Sequence, residues 1–299
     1  MSFTASANPG IEPGGAGRRV SWRSRFAAGV VSAALAGAAV LPVAGTAGAS
    51  PRGADSTQTV NLTLQAMPHG TVTFHRDRLG LLATVILYGL TPGSSHAVDL
   101  LTPSGPGIIH FSPFTARNSG AAEAHLSSTY TGRWIPGSRL VIRMGKELNP
   151  VEHAPIAETA RLPSPGGTGH RLISVEVSSS GTRYGTPKGR ATLSYDSVKQ
   201  TLTVTVNASG LTPGPHAAHI HDGTCERQGP VEYMLTDLVA NGQGKVTDAV
   251  RVFTNVTTPI PASGWYLNIH QGNSKDILIK GNPTIYFRPL LCANIKGGS

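Results

Sequence analysis

Three histidines in the C-terminal half of the chain have the residue type and spacing that suit a metal ion. His219 and His221 lie two residues apart in a strand-like segment, and side chains two apart on a strand face the same side. His270 follows another strand-like run, Trp265 to Ile269. Neutral imidazole is a good ligand for copper and for zinc, so the three rings together predict a copper or zinc site. The alternative for the His-x-His pair alone is two surface or hydrogen-bonded histidines.

An internal repeat supplies the elements that must position these histidines. Strand-like alternation runs into the same Gly-Leu-Thr-Pro-Gly turn at 89–93 and again at 210–214. The many short alternating segments between Gly and Pro turns predict an all-β protein, with two tandem antiparallel β-sandwich or barrel repeats. Matching His96 to His216, with a one-residue gap after the turns, places Asp99 and Leu101 on the His-x-His positions and Met144 close to the His270 position. Repeat one therefore lacks the histidine set, and we expect it to be scaffold or partner surface.

The boundaries of the repeats follow from these patterns. Repeat one is expected at residues 57–148 and repeat two at residues 173–296. Between them, residues 149–172 are rich in Pro, Gly and Ala without strand periodicity, so this segment is predicted to be a linker.

The N-terminal segment is typical of a signal for export. Four arginines precede a short apolar run, and Ala47-Gly48-Ala49 has the pattern of a cleavage site. We therefore predict a signal peptide at residues 1–49 and a disordered tail at 50–56, with a membrane anchor as the alternative that the short apolar run disfavours. The mature chain is expected to be extracellular or in the cell envelope, with no stable membrane insertion.

The charge of the chain limits the classes of partner that it is expected to bind. Without residues 1–49, which hold four Arg and one Glu, the chain keeps 21 basic and 15 acidic side chains, a net charge of +6. This surface suits anionic partners, but it has no dense basic run with interleaved aromatics, so nucleic-acid binding is not expected.

Cys225 and Cys292 are the two cysteines of the chain, and an oxidising destination predicts that they pair. No oligomeric state is indicated.

Repeat two resembles the copper/zinc superoxide dismutases over residues 189–296. Their Gly-Leu-x-Pro-Gly turn and following histidine cluster are similar to Gly-Leu-Thr-Pro-Gly-Pro-His-Ala-Ala-His-Ile-His at 210–221. The order of later elements also agrees: a cysteine followed by Gly-Pro at 225–230, a late strand ending in His270, and a second cysteine at 292. The resemblance implies a superoxide-dismutase-like Greek-key fold in each repeat.

The resemblance also implies roles for individual residues. Those implied are copper ligands at His219, His221 and His270, a loop-bracing structural histidine at His216, a disulfide between Cys225 and Cys292, and a remnant of the zinc site at Asp237. Arg288 lies one residue further from the second cysteine than the family's anion-guiding arginine does, which puts that catalytic role in question.

This chain departs from the dismutase pattern at two positions that matter for chemistry. Val231 stands where the family has the histidine that bridges copper and zinc, and Met234 stands where it has a zinc histidine. The resemblance therefore implies that the zinc site is lost and that copper keeps three imidazole ligands. Without the bridging histidine, efficient dismutation is in question.

Repeat two is also similar to the CHRD module, a secreted β-domain. The similarity lies in Ala-Ala-His-Ile-His-Asp-Gly at 217–223 and in Trp-Tyr-Leu-Asn-Ile-His at 265–270. Three hypotheses follow: a copper-dependent superoxide dismutase, a non-catalytic copper-binding protein that exchanges copper with a donor or acceptor, and a metal-free extracellular interaction module.

Overall fold

The computed structural model describes residues 57–103, 107–132, 135–145, 155–159, 161–163 and 172–297. The predicted signal peptide (1–49), the predicted tail (50–56) and most of the predicted linker (149–172) lie outside these residues. The regular structure of the described residues consists of antiparallel strands and one short 3-10 turn at Ile285–Phe287. The prediction of an all-β fold with two barrel-like repeats is confirmed.

The strands of the first part of the chain are β1 (Thr57–Ala66), β2 (His69–Arg76), β3 (Leu81–Tyr88), β4 (Ser95–Leu101), β5 (Ile108–Thr115), β6 (Ala122–Ser128), β7 (Arg139–Met144), β8 (Pro155–Thr159) and β9 (Ile173–Ser179). Those that follow are β10 (Lys188–Asp196), β11 (Thr201–Ser209), β12 (Gly214–His216), β13 (Ala218–Asp222), β14 (Val231–Met234), β15 (Leu238–Ala240), β16 (Val246–Phe253), β17 (Trp265–His270), β18 (Leu278–Ile279), β19 (Asn282–Pro283) and β20 (Pro289–Ile295).

Two eight-stranded sheets have equivalent strand orders. The first has the order β5-β4-β7-β8-β9-β2-β3-β6, and the second has the order β14-β13-β17-β20-β1-β10-β11-β16. Each sheet curls around its own core of alternating inward side chains, as in β11, where Leu202, Val204 and Val206 are buried between exposed or half-buried threonines. Strands with this period of two bury one face and leave the other toward solvent.

The repeated turn has the same backbone conformation in both copies. Gly89 and Gly210, the first residue of each turn, have φ values of +75° and +76°. A Cβ at Gly210 would lie 2.6 Å from the carbonyl oxygen of Thr186. Both the left-handed conformation and the close backbone approach require glycine at this position.

The first strand of each repeat lies in the other repeat's sheet. β1 pairs along its length with β10, from Thr57 opposite Asp196 to Leu64 opposite Gly189, and its end pairs with β20. β9 takes the equivalent place in the first sheet, between β8 and β2. The inward side chains follow the pairing, because Val60, Leu62 and Leu64 of β1 pack in the core of the second sheet.

This exchange corrects the predicted boundaries. The sheets do not follow the ranges 57–148 and 173–296, since each range begins with a strand that pairs in the opposite sheet. The predicted linker 149–172 also contains β8, whose residues Ile156 and Ala157 are buried in the first core. Five residues beginning with Pro are too few to show an alternating pattern, and for this reason the sequence did not reveal the strand.

Candidate metal centre

The three histidines lie on the outer face of two neighbouring strands of the second sheet. β13 pairs with β17, so that His219 lies opposite Asn268 and His221 opposite Tyr266. His219 and His221 face the same side of β13, with ring centroids 5.3 Å apart. His270 ends β17 at a register shift against β20, and its ring centroid lies 5.3 Å from that of His219.

One nitrogen of each ring lies close to one nitrogen of each of the other two rings. These three nitrogens all lie within 4.8 Å of one another, and the three side chains are buried. Ligand nitrogens 2.0–2.1 Å from a shared ion would have to lie somewhat closer than this limit, about 3–4 Å apart.

The remaining ring nitrogens explain which atoms are free to bind. His221 Nδ1 donates to the carbonyl oxygen of Gly229 at 2.9 Å, and His270 Nδ1 donates to that of Phe287. With Nδ1 protonated, Nε2 of both rings carries the lone pair. His221 Nε2, His270 Nε2 and His219 Nδ1 are buried, and no hydrogen-bond partner for them occurs in the part of the chain that the structure describes. A hydrogen bond from the second ring nitrogen to a carbonyl is the usual support of a metal-binding histidine.

Burial also keeps the three rings neutral. Desolvation, with a smaller contribution from the neighbouring histidine, lowers the pKa of His219 to about 4 and that of His270 to about 3. Desolvation likewise lowers the pKa of His221. Because only neutral imidazole can bind a metal ion, the site is ready for a ligand well below neutral pH.

A small cluster beneath His221 fixes its ring. The ring of Tyr266 stacks on that of His221 at 4.8 Å with an angle of 13° between their planes. Tyr266 packs in turn against Met67 and the Cys225–Cys292 disulfide. The disulfide prediction is therefore confirmed, and the bridge connects the loop after β13 to β20. Met67, which follows the exchanged strand β1, completes the cluster.

His216 lies at the base of the site. It is buried, with Nδ1 2.8 Å from the carbonyl oxygen of His270 and Nε2 2.7 Å from that of Thr212. Its ring thus connects the Gly-Leu-Thr-Pro-Gly turn to the end of β17. Bracing a loop is the role that the resemblance to the dismutases implies for His216.

The two residues across from the histidines form the rim of the site. Met234 lies opposite His219, and Val231 lies opposite His221, both on the edge strand β14. Their exposed fractions are 62% and 45%. Neither side chain can donate or accept a proton.

Asp237 and Arg288 lie outside the three-histidine cluster. The Asp237 carboxylate accepts hydrogen bonds from the backbone N–H and the hydroxyl of Ser274. Arg288 is buried, with Nε donating to Gln271 Oε1 at 3.0 Å. Its side chain lines a cleft between the two repeats, and the three histidines do not line that cleft. The offset of one residue from the second cysteine gives the physical reason, since it changes how the side chain leaves the backbone.

The equivalent place in repeat one holds an ion pair that the sequence patterns did not predict. Asp99 is fully buried and forms hydrogen-bonded pairs with Arg143 and with His110, the latter at 2.7 Å. The sequence did offer one indication of this position, because matching His96 to His216 puts Asp99 in the place of His219. Strand β7 supplies Arg143 one residue before Met144.

One known protein family matches part of the chain. The family model of the CHRD domain matches residues 172–282. This part of the chain is similar to a CHRD domain. All three histidines fall within the match, whereas Arg288 and Cys292 lie beyond it. No curated protein matches the chain. Among the described residues, no helix is long and apolar enough to cross a membrane.

Proposed function

We propose that the protein is an extracellular CHRD-like module that binds one copper ion through His219, His221 and His270. The observation that carries this proposal is the set of three buried histidines, each with an imidazole nitrogen that has no hydrogen-bond partner among the described residues, whose possible ligand atoms lie within 4.8 Å of one another. A buried polar atom without a partner costs free energy, so three of them together favour a ligand that all three can share.

The donor set favours copper over other common metals. Three neutral nitrogens with no carboxylate among them are a poor site for calcium or magnesium, which prefer oxygen. Among divalent first-row ions, copper binds such nitrogen sites more tightly than zinc does. Three imidazoles also suit Cu(I), which accepts trigonal coordination. The disulfide is in keeping with an oxidising location outside the cell.

The chemistry at the rim favours holding copper over catalysing a reaction. Copper bound here would supply redox capacity, but dismutation of superoxide also needs a proton delivered beside the open ligand position. Val231 and Met234, the residues nearest to the histidines across β14, have no proton to give. We therefore infer a role in binding or exchanging copper with a donor or acceptor, and superoxide dismutation is the second candidate.

Copper titration tests the first candidate directly. The chain from Ser50 onward should bind one equivalent of copper in competition with a chromophoric chelator, for Cu(I) and for Cu(II). His219→Ala and His270→Ala should each weaken binding at least a hundredfold, because two imidazoles cannot complete the site. His125→Ala, which changes an exposed histidine of repeat one, is the matched control. Failure to bind equimolar copper would leave a metal-free interaction module.

A superoxide-decay assay on the copper-loaded protein separates the two candidates. We expect decay no faster than with the His219→Ala control. Val231→His adds an imidazole opposite His221, where a proton could be held. A rate that is already high in the unmodified protein would favour the dismutase.

A further inference from the structure

A cleft of about 520 Å³ lies between the two repeats, away from the histidine cluster. Repeat one lines it with Met144, Pro155 and Ile156, and repeat two lines it with Ile285 and Arg288. The size falls in the range of small-molecule sites, and clefts between domains are frequent places for them.

Arg288 is the unusual group in this cleft. Its exposed fraction is 7%, and its one hydrogen-bond partner among the described residues is the neutral amide of Gln271. Nη1 is buried and has no partner. Desolvation lowers the pKa of the guanidinium to about 10. Buried guanidinium groups in proteins are normally paired with an anion, because an uncompensated buried charge is strongly unfavourable.

The described lining residues supply no such anion. A second cation, Arg183, lines the cleft, and none of these lining residues is acidic. The remaining walls near Arg288 are largely apolar, since Met144, Pro155 and Ile156 lie on one side and Ile285 on the other. A ligand that fits these surfaces has one negative charge and a hydrocarbon body.

We propose that the inter-repeat cleft binds a small organic carboxylate, with its carboxylate on the Arg288 guanidinium and its hydrocarbon chain against Met144, Ile156 and Ile285. Planar guanidinium groups match carboxylates with two parallel hydrogen bonds. The buried Arg288 guanidinium balances one negative charge, whereas the second cation, Arg183, is exposed to solvent. The apolar walls disfavour a dianion such as phosphate, because phosphate is strongly hydrated. None of the three histidines lines this cleft.

Calorimetry and thermal unfolding with three probes test the proposal. Octanoate should bind and raise the Tm of the unmodified protein, whereas octanamide, which has the same chain without the charge, should not. Inorganic phosphate is the third probe. A response to phosphate that equals or exceeds the response to octanoate would overturn the proposal in favour of a simple anion site, and no response to octanoate would overturn it outright.

Two variants connect binding to the cleft. Arg288→Met should lower octanoate affinity at least tenfold and raise the Tm of the ligand-free protein, because it removes the unpaired buried charge. Arg190→Met removes an exposed charge from β10 and should change neither. If Arg288→Met does not fold, Ile285→Asp at the exposed rim should lower octanoate affinity by placing a competing carboxylate in the cleft, and Ile285→Ser should not. Unchanged octanoate affinity in both Arg288→Met and Ile285→Asp would place binding elsewhere and contradict the proposal.

Discussion

The two repeats treat the same buried position in opposite ways. In repeat one, Asp99 on β4 is satisfied by Arg143 and His110 from the strands on either side. In repeat two, the equivalent strand β13 presents His219, whose Nδ1 has no hydrogen-bond partner among the described residues. The first arrangement is complete without a ligand, and the second is complete only when something else binds. The same place in a shared fold can therefore hold a self-contained ion pair in one repeat and a candidate binding site in the other.

Lowering the pH should have the largest effect on the free energy of unfolding. Burial lowers the pKa of His219 to about 4 and that of His270 to about 3, so the unfolded chain takes up protons at a higher pH than the native chain does. The free energy of unfolding of the metal-free protein should therefore fall as the pH is lowered from 7 to 5, by several kcal/mol in sum over the histidines.

Urea unfolding with a chelator present measures this effect. His219→Ala should reduce the pH dependence, because it removes one of the groups that must stay neutral. His96→Ala in repeat one should also reduce it, since desolvation lowers the pKa of His96 to about 4. His125→Ala, at an exposed position, serves as the control. A urea midpoint that is constant over this pH range would show that the native rings accept protons freely.

Removing the Asp99 carboxylate from repeat one should lower the free energy of unfolding by nearly as much. Asp99→Ala leaves Arg143 buried without a counter-ion, and breaking a buried pair in this way costs about 3–5 kcal/mol. The Asp99→Leu/Arg143→Met double variant should recover most of this loss, because it removes both charges together. Chemical denaturation at pH 7 gives the comparison, and equal stability of the single and double variants would refute the ion-pair account.

The disulfide should stabilise the second sheet more than the first. Its cysteines are 67 residues apart, and opening a loop of this length costs about 4 kcal/mol by the chain-entropy estimate. The Cys225→Ala/Cys292→Ala variant should lose amide protection first in β17, β20 and the end of β1, which meet at the bridge. Hydrogen exchange followed by mass spectrometry locates the loss. Greater loss in β3 and β6 of the first sheet would contradict the assignment.

A contact between the repeats should show the smallest effect. The Gln228 side-chain amide donates to the carbonyl oxygen of Leu90 at 3.1 Å, and its backbone N–H donates to that of Ser119. Gln228→Ala removes the first bond and should reduce the free energy of unfolding by about 1 kcal/mol. Gln243→Ala changes an exposed glutamine and should have no effect. A thermal shift that is the same in both variants would argue against this bond.

Much of the site could be predicted from the sequence because its signals are local. The repeated turn, the His-x-His spacing and the strand ending in His270 each lie within a few residues, and the structure brings the three rings together. The pairing of Asp99 with Arg143 was not predicted, because it joins two strands that are distant in sequence and neither residue belongs to a repeated motif. The exchange of β1 and β9 was also missed. Both strands have the same alternation and can complete either sheet, so local patterns do not reveal which partner each one takes.

The exchanged strands impose an order on maturation. β1 is made first, yet its pairing with β20 joins Gln65 to Cys292 near the other end of the chain. The second sheet therefore cannot be completed before the final strand, β20, has been synthesised. The first sheet cannot be completed before β9 has been synthesised. Until then the edges of β1 and β2 are open to mispairing with other chains. The two halves consequently reach their native state as one unit, and a truncation that removes either end disturbs the barrel built from the other end.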